Sequence, residues 1–346
     1  MILILTREGD EHTHYVKNRL KEKGARFIEF VTANFPQQIF EVLSFNCSSE
    51  RRILSIDGQC VDLRDVQTVW YRRPMPAEPA PHLGEADREF VSQESMHLLN
   101  SLWRLLRKAF WVNPLASDLS ARLKPYQLEV AQELGFAIPR TLITNNPDEV
   151  LSFFDLCEGN IIYKSFSNHG RIENGRGFGI FTSPVERPAL LEYLHQIRLA
   201  PCTFQEYVNK KVELRVTVFG HRVYTAEIDS QSQEFSKIDW RRTPQEGRNC
   251  YAVPQRPYSL PDQIEKKILL LLQRLGLVFG CLDFIVTPQN ELVFLEINPN
   301  GQWFWIEEAT GMPLLNTFTE MLIQGRSDFV EDKSASSAAR ATSVSF

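Results

Sequence analysis

A chain of 346 residues with 43% hydrophobic and 23% charged content is long enough for two or three domains and has the balance of a soluble globular protein. A formal net charge of -5 argues against a dedicated nucleic-acid binder, and neither an apolar run of membrane-span length nor an export signal precedes or follows the opening ILIL, so a cytoplasmic protein is expected. The six cysteines, at positions 47, 60, 157, 202, 250 and 281, show no C-x-x-C pair or metal-ligand spacing and read as reduced thiols.

Residues 2–5 predict a short buried strand, His12–Lys23 a helix ended by Gly24, and Arg26–Phe30 a second strand. His12 and His14 read as part of an exposed helix start rather than as a metal pair. Arg51–Leu63 alternates through a hairpin turned at Asp57-Gly58, and Val66–Arg72 is a further strand. Arg72 and Arg73, halted by Pro74, suit an anion grip and a solvated strand end equally. Over Ala86–Phe110 the stripe Met96, Leu99, Trp103, Leu106, Phe110 has the 3-4-3-4 spacing of one buried helix face, and WVNP at 111–114 closes a first domain, residues 1–115.

A polar helical segment, Ser117–Leu134, follows. Lys124 precedes Pro125, a residue favoured in the first turn of a helix, so its ammonium stands where a helix begins and a phosphate can be met. Pro139–Thr144 reads as a strand, Pro147–Leu156 as a helix and Asn160–Lys164 as a strand ending in Lys164. The glycines 170, 175, 177 and 179 then mark a loop whose backbone N–H groups suit phosphate, although it fits neither the P-loop nor the Rossmann pattern. Pro188–Arg198 is helical, Thr203–Val208 (TFQEYV) extended, and Glu213–Phe219 alternates, turns at Gly220-His221 and returns over Arg222–Asp229. Glu213, Arg215 and Thr217 share one face. Lys237, Arg241, Arg242 and Arg248 form a basic run, and Gln263–Leu275 is an amphipathic helix.

The last segment carries the most chemistry. Strands Cys281–Thr287 and Leu292–Ile297 flank Pro288-Gln289-Asn290; a two-residue turn at Gln289-Asn290 places Asp283 opposite Glu296. Asn298 returns to the same face, while Phe284, Val286, Leu295 and Ile297 point to a core. Facing carboxylates repel unless a cation lies between them, and an oxygen-only set suits Mg²⁺. An ordinary solvated or arginine-paired hairpin is the alternative reading of these residues alone.

A lysine before a helix, a strand-end lysine with a glycine-rich loop, the QEYV strand, KKVELRV and a D…E-x-N hairpin resemble, in this order, the ATP-grasp ligases. VWYRRP, WVNP, FQEYV and FLEINPNGQWFWIE are similar to the peptide-macrocyclising members that make microviridin-type peptides, the graspetides, over residues 1 to 328. The resemblance implies an α/β chain with the ATP-grasp fold: an N-terminal pre-ATP-grasp domain (1–115), a central subdomain with a glycine-rich lid (116–203), a C-terminal catalytic subdomain with antiparallel strands (204–330) and a disordered tail (331–346). It implies that Lys124 and Lys164 hold ATP phosphates, that Gln205, Glu206, Tyr207 and Val208 form the adenine hinge and that Glu213 takes the ribose. Asp283, Glu296 and Asn298 would hold Mg²⁺, and Arg215 and Arg241 would face the γ-phosphate and the carboxylate being activated. The implied partner is a precursor peptide with leader and core, whose Asp or Glu side chains are joined to Ser or Thr hydroxyls or to Lys amines; a homodimer is compatible, and neither nucleic acid nor membrane is implied. The alternatives are a ligase adding amino acids to a peptide terminus and a silent ATP-binding module.

Overall fold

The computed structural model describes residues 1–46, 50–166, 171–173, 176–178, 181–242 and 253–330. Arg248, most of the glycine-rich loop and the tail from 331 lie outside them. Cys60, Cys157, Cys202 and Cys281 are free thiols, and among the described residues no helix is long and apolar enough to cross a membrane.

The first part of the chain runs β1 (Ile2–Thr6), α1 (Glu11–Glu22), β2 (Phe27–Val31), β3 (Ile39–Leu43), β4 (Arg52–Ile56), β5 (Gln59–Asp62), β6 (Thr68–Tyr71), α2 (Glu85–Leu105) and β7 (Phe110–Val112). Strands β2-β1-β6-β7 form a parallel sheet, and β3-β4-β5 a separate antiparallel one. The turn between β4 and β5 is the expected one: Asp57 and Gly58 both take positive φ, 49° and 75°. The long helix ends earlier than its spacing suggests, because Phe110 leaves it to pair with Thr68 as an edge of the parallel sheet. Met96, expected in the core, is 53% exposed, and the buried face instead uses Leu99, Leu102, Trp103 and Leu106.

Next come α3 (Leu115–Ala121), α4 (Lys124–Glu133), β8 (Thr141–Thr144), α5 (Pro147–Leu156), β9 (Ile161–Lys164), β10 (Arg171–Glu173), β11 (Arg176–Phe178), β12 (Ser183–Pro184), α6 (Arg187–Tyr193) and β13 (Cys202–Glu206). The single helix expected over 117–134 is two, with Pro125 in the first turn of the second. Strands β12-β9-β13-β8 make an antiparallel sheet backed by α5 and α6 through Val150, Phe153, Phe154 and Leu190. Asn146 caps α5 by accepting from the Asp148 N–H at 3.1 Å.

The chain ends with β14 (Val212–Phe219), β15 (Arg222–Ile228), β16 (Gln255–Pro257), α7 (Asp262–Arg274), β17 (Phe279–Val286), β18 (Leu292–Asn298), α8 (Phe304–Thr310) and α9 (Leu314–Gln324). The sheet order is β16-β15-β14-β17-β18, antiparallel throughout. Strand alternation sends Leu214, Val216 and Val218 of β14 and Leu282, Phe284 and Val286 of β17 into a core shared with Ile268, Leu271 and Leu272 of α7. The opposite faces carry Glu213, Arg215 and Asp283. Helices α8 and α9, which the sequence reading left unassigned, bury Ile306, Leu314, Phe318, Met321 and Leu322 in a core that also contains Ile2, Ile4, Val16, Leu20 and Trp70. Each such side chain contributes about 1.5–3 kcal/mol when fully removed from water, so α9 fastens the first sheet to the last.

Candidate active site

The hairpin of β17 and β18 sets the site. Asp283 pairs with Glu296 across it, as expected, but by a different route. The turn has three residues, with Thr287 and Glu291 closing it and Asn290 at φ 63°. A bulge between Asp283 and Phe284 then restores the count, since Phe284 faces Phe294 and Leu295 is the extra residue. As a consequence Leu295 does not enter the core. It turns to the cavity side with Glu296, and Phe294 takes the core position.

On the other side of β17, Arg215 pairs with Asp283, so Arg215, Asp283 and Glu296 form one row across three strands. Nη1 of Arg215 donates to both Asp283 oxygens at 2.9 Å, and its Nη2 donates to the Gln302 carbonyl at 2.9 Å. From α4, the Lys124 ammonium lies 3.3 Å from Glu296 and donates to the Ser165 carbonyl at 3.0 Å. Burial pushes the Asp283 carboxyl up; Arg215 opposes the rise and Glu296 adds to it. Burial acts on Glu296 in the same direction but is outweighed by Lys124, Lys164 and Arg241, which hold it below the ordinary range. Burial lowers Lys164, with Glu296 opposing.

All twelve residues singled out from the sequence line one cavity of about 260 Å³ between the β8–β13 sheet and the β14–β18 sheet. Lys124 opens α4, Lys164 ends β9, and Gln205 and Glu206 end β13, with Tyr207 and Val208 just beyond. The Glu206 and Tyr207 N–H groups donate to the carbonyls of Arg140 and Asn160 at 2.9 and 2.8 Å, whereas among the described residues the Val208 N–H has no backbone acceptor. Glu213 is paired with Lys210 at 2.8 Å, and burial pushes its carboxyl up against that lysine. Arg241 grips Asp239 through Nε and Nη2 at 2.8 and 2.7 Å. Arg242 is directed elsewhere, donating to Ser183 Oγ at 2.7 Å, and Lys237 pairs with Glu234 at the surface. Of the basic run, Arg241 is therefore the described residue that lines the cavity.

Asp239 and Gln127 carry no signal in the sequence, and Asn113, His12 and Arg72 have other surroundings than their sequence context suggests. Asp239, 5% exposed, fixes Arg241 and also accepts from the Thr182 N–H at 3.3 Å. Asn113 of WVNP accepts from the N–H groups of Val278 and Phe279 and donates to the carbonyls of Phe279 and Pro299, all at 2.9 Å. Gln127 brackets Ile297 in the same manner, accepting at 3.0 Å and donating at 2.8 Å. His12 is not at an exposed helix start: it is 3% exposed, and its Nε2 accepts from the N–H groups of Trp303 and Phe304 at 3.0 and 3.1 Å. Arg72 is likewise buried, bonded to Asp10 at 3.1 Å and to the Asn300 carbonyl at 3.0 Å. These neutral and paired groups hold the 298–304 turn, where Gly301 is needed: a Cβ there would lie 2.5 Å from Cys281 Cβ and 3.0 Å from Arg215 Nη2.

The donor set tests well for a hard divalent cation. Asp283, Glu296 and Asn298 offer oxygen ligands from one face, and burial, with Glu296 adding to it, raises the Asp283 carboxyl, an effect that further positive charge beside Arg215 would offset. Lysines 124 and 164 border the same space.

Residues 1–118 match the family described as the MvdD pre-ATP grasp domain. The macrocyclase MdnC of Microcystis aeruginosa, solved with the precursor peptide MdnA, is 32% identical and superposes with a TM-score of 0.82, covering 94% of this chain and 100% of that one. A RiPP-associated ATP-grasp ligase of Chryseobacterium gregarium, solved with ADP and a leader and core peptide, gives 30%, a TM-score of 0.83, and coverage of 94% and 97%. MdnB of Microcystis aeruginosa, also a macrocyclase, gives 31%, 0.77, and coverage of 94% and 99%. No curated protein sequence matches the chain.

Proposed function

The chain belongs to the RiPP-associated ATP-grasp ligases and macrocyclases, and from that premise we propose that it uses ATP and Mg²⁺ to join Asp or Glu side chains of a ribosomally made precursor peptide to Ser or Thr hydroxyls or Lys amines. The observation that carries this reading is the row Arg215, Asp283, Glu296 facing Lys124 and Lys164 inside one cavity.

A carboxylate is a poor acyl donor. Its oxygen attacks the γ-phosphorus of ATP, the bond from that phosphorus to the β-bridging oxygen breaks, and ADP leaves. The hydroxyl or amine then attacks the acyl carbon, the carbon–oxygen bond to phosphate breaks, and the nucleophile's proton leaves with phosphate or solvent. Asp283, Glu296 and Asn298 would hold Mg²⁺, which would supply neutralisation of the charge on the transferring phosphoryl group. Lys124 and Lys164 orient the phosphates; the open N–H of Val208 serves the adenine edge, and Glu213 the ribose. Arg215 and Arg241, pinned by Asp283 and Asp239, hold fixed positive charge where the acyl phosphate develops, so little reorganisation is needed as it forms. In this reading residues 1–115, 116–203 and 204–330 act as pre-ATP-grasp, lid-bearing and catalytic units of a cytoplasmic enzyme.

The test is ADP release dependent on a precursor peptide, with loss of one water per crosslink followed by mass spectrometry. Nucleotide turnover that ignores peptide, or addition of a free amino acid in place of water loss, would defeat the macrocyclase reading.

A further inference from the structure

Among the described residues three arginines line the cavity, and they differ in how their charge is met. Arg215 is held by Asp283 and Arg241 by Asp239. Arg73 has no carboxylate partner among the described residues: its Nε and Nη2 both donate to the carbonyl of Asn300, at 3.3 and 2.9 Å. Asp10, the acid whose charge acts on Arg73, is bonded to Arg72 instead. One guanidinium in the cavity wall thus lacks a fixed counter-ion, and a half-buried unmatched charge is costly unless an anion arrives.

The backbone supports the same conclusion. Arg73 has φ 49°, in the left-handed region that a side chain-bearing residue occupies at a cost of about 1 kcal/mol or more. Pro74 follows, and the turn carries the guanidinium back to the 298–304 segment. Since Nε and one Nη2 proton are committed to Asn300, the edge formed by Nη1 and the other Nη2 proton is the one left for a two-pronged contact with a carboxylate. Burial, with Arg72 beside it, lowers Arg73 to about 10, so it stays cationic at neutral pH.

We propose that Arg73 receives the side-chain carboxylate that the enzyme activates, while Arg215 and Arg241 serve the phosphoryl group. This assignment rests on the ligase reading above. It makes Arg73 a specificity-determining residue, one that distinguishes a carboxylate from the isosteric carboxamide. It also couples substrate placement to the metal strand: the anchor, Asn300, donates its own N–H to Asn298 Oδ1 at 3.0 Å. The same carbonyl accepts from Arg72, so the anchor is itself held.

The experiment uses the full chain loaded with ADP and magnesium, titrated in a calorimeter with N-acetyl-glutamate α-amide and, as neutral control, N-acetyl-glutamine α-amide. The wild type is expected to prefer the carboxylate. Arg73→Gln, which keeps a donor for the Asn300 carbonyl, is expected to lose that preference by about tenfold, and Arg73→Lys to recover only part of it, with ADP affinity unchanged in both. Carboxylate binding by Arg73→Gln equal to wild type overturns the proposal, and so does a wild type that does not distinguish the two probes. Failure of the wild type to bind ADP strikes the ligase reading instead, and is told apart because it precedes any probe.

Discussion

Acid should weaken this fold through a single buried imidazole. His12 accepts two backbone N–H groups at Nε2, and burial, with Arg72 adding to the effect and Asp10 opposing it, lowers its pKa to about 3. Arg73 and Arg215 also face it. In the unfolded chain an imidazole titrates near 6.5. Above that pH both states are neutral and the contribution is complete; below it the unfolded state takes up a proton that the folded state refuses, so stability falls as pH falls, down to about 3. The slope is about 1.4 kcal/mol per pH unit, which amounts to about 3 kcal/mol by about pH 4.5. His12→Gln keeps an acceptor near the position of Nε2 but does not titrate. Urea melts followed by tryptophan fluorescence, at pH 7 and at about pH 4.5, should therefore show the wild type losing about 3 kcal/mol more than the variant over that interval. Parallel losses in the two proteins would refute the argument.

Three further outcomes follow from the site. Glu296→Gln removes a charge that Lys124, Lys164 and Arg241 all address; circular dichroism should be unchanged while peptide-dependent ADP release drops at least about a hundredfold, and wild-type turnover would count against the metal assignment. Arg215→Lys keeps the charge but cannot contact both Asp283 and the Gln302 carbonyl; crosslinking should fall about a hundredfold with ATP affinity within about threefold, whereas full ring formation would remove Arg215 from the chemistry. Gly301→Ala forces a methyl against Cys281 and Arg215; a loss of about 1–3 kcal/mol in a thermal melt, together with lower ADP release, is expected, and an unaltered melt would show that the turn can yield.

How much of this was legible in the sequence depends on the range of the interaction. Strand alternation put Glu213 and Arg215 on one face and Asp283 opposite Glu296, because period-two patterning and hairpin counting are local rules. Even there the count succeeded only because a longer turn and a bulge cancel, and Leu295 records the difference by facing the cavity. The choice between Arg241 and Arg242 was only partly open to local reasoning: Asp239, two residues before Arg241, fixes that guanidinium, but Ser183, 59 positions away, is what draws Arg242 aside. The polar pins were hidden for the same reason. Asn113 reaches strands 165 and more positions away, and His12 reaches 291, and no local periodicity encodes such a bond. Helices α8 and α9 were obscured because their apolar residues serve a core completed by the chain's first strand and helix.

That shared core has a consequence for synthesis. The face of the β2-β1-β6-β7 sheet that bears Ile2, Ile4 and Trp70 is covered by Leu314, Phe318 and Met321. On a ribosome this sheet emerges well before α9, so the part of its face that Val16 and Leu20 of α1 leave uncovered must wait until Leu314–Gln324 has been made. Until residues 278–304 follow, His12, Arg72 and Asn113 are also without the backbone groups that complete their bonds. The nascent chain thus presents an oily sheet beside an unfinished polar seam, a surface that a chaperone would shield, and a stop codon ahead of α9 would leave that surface permanently open.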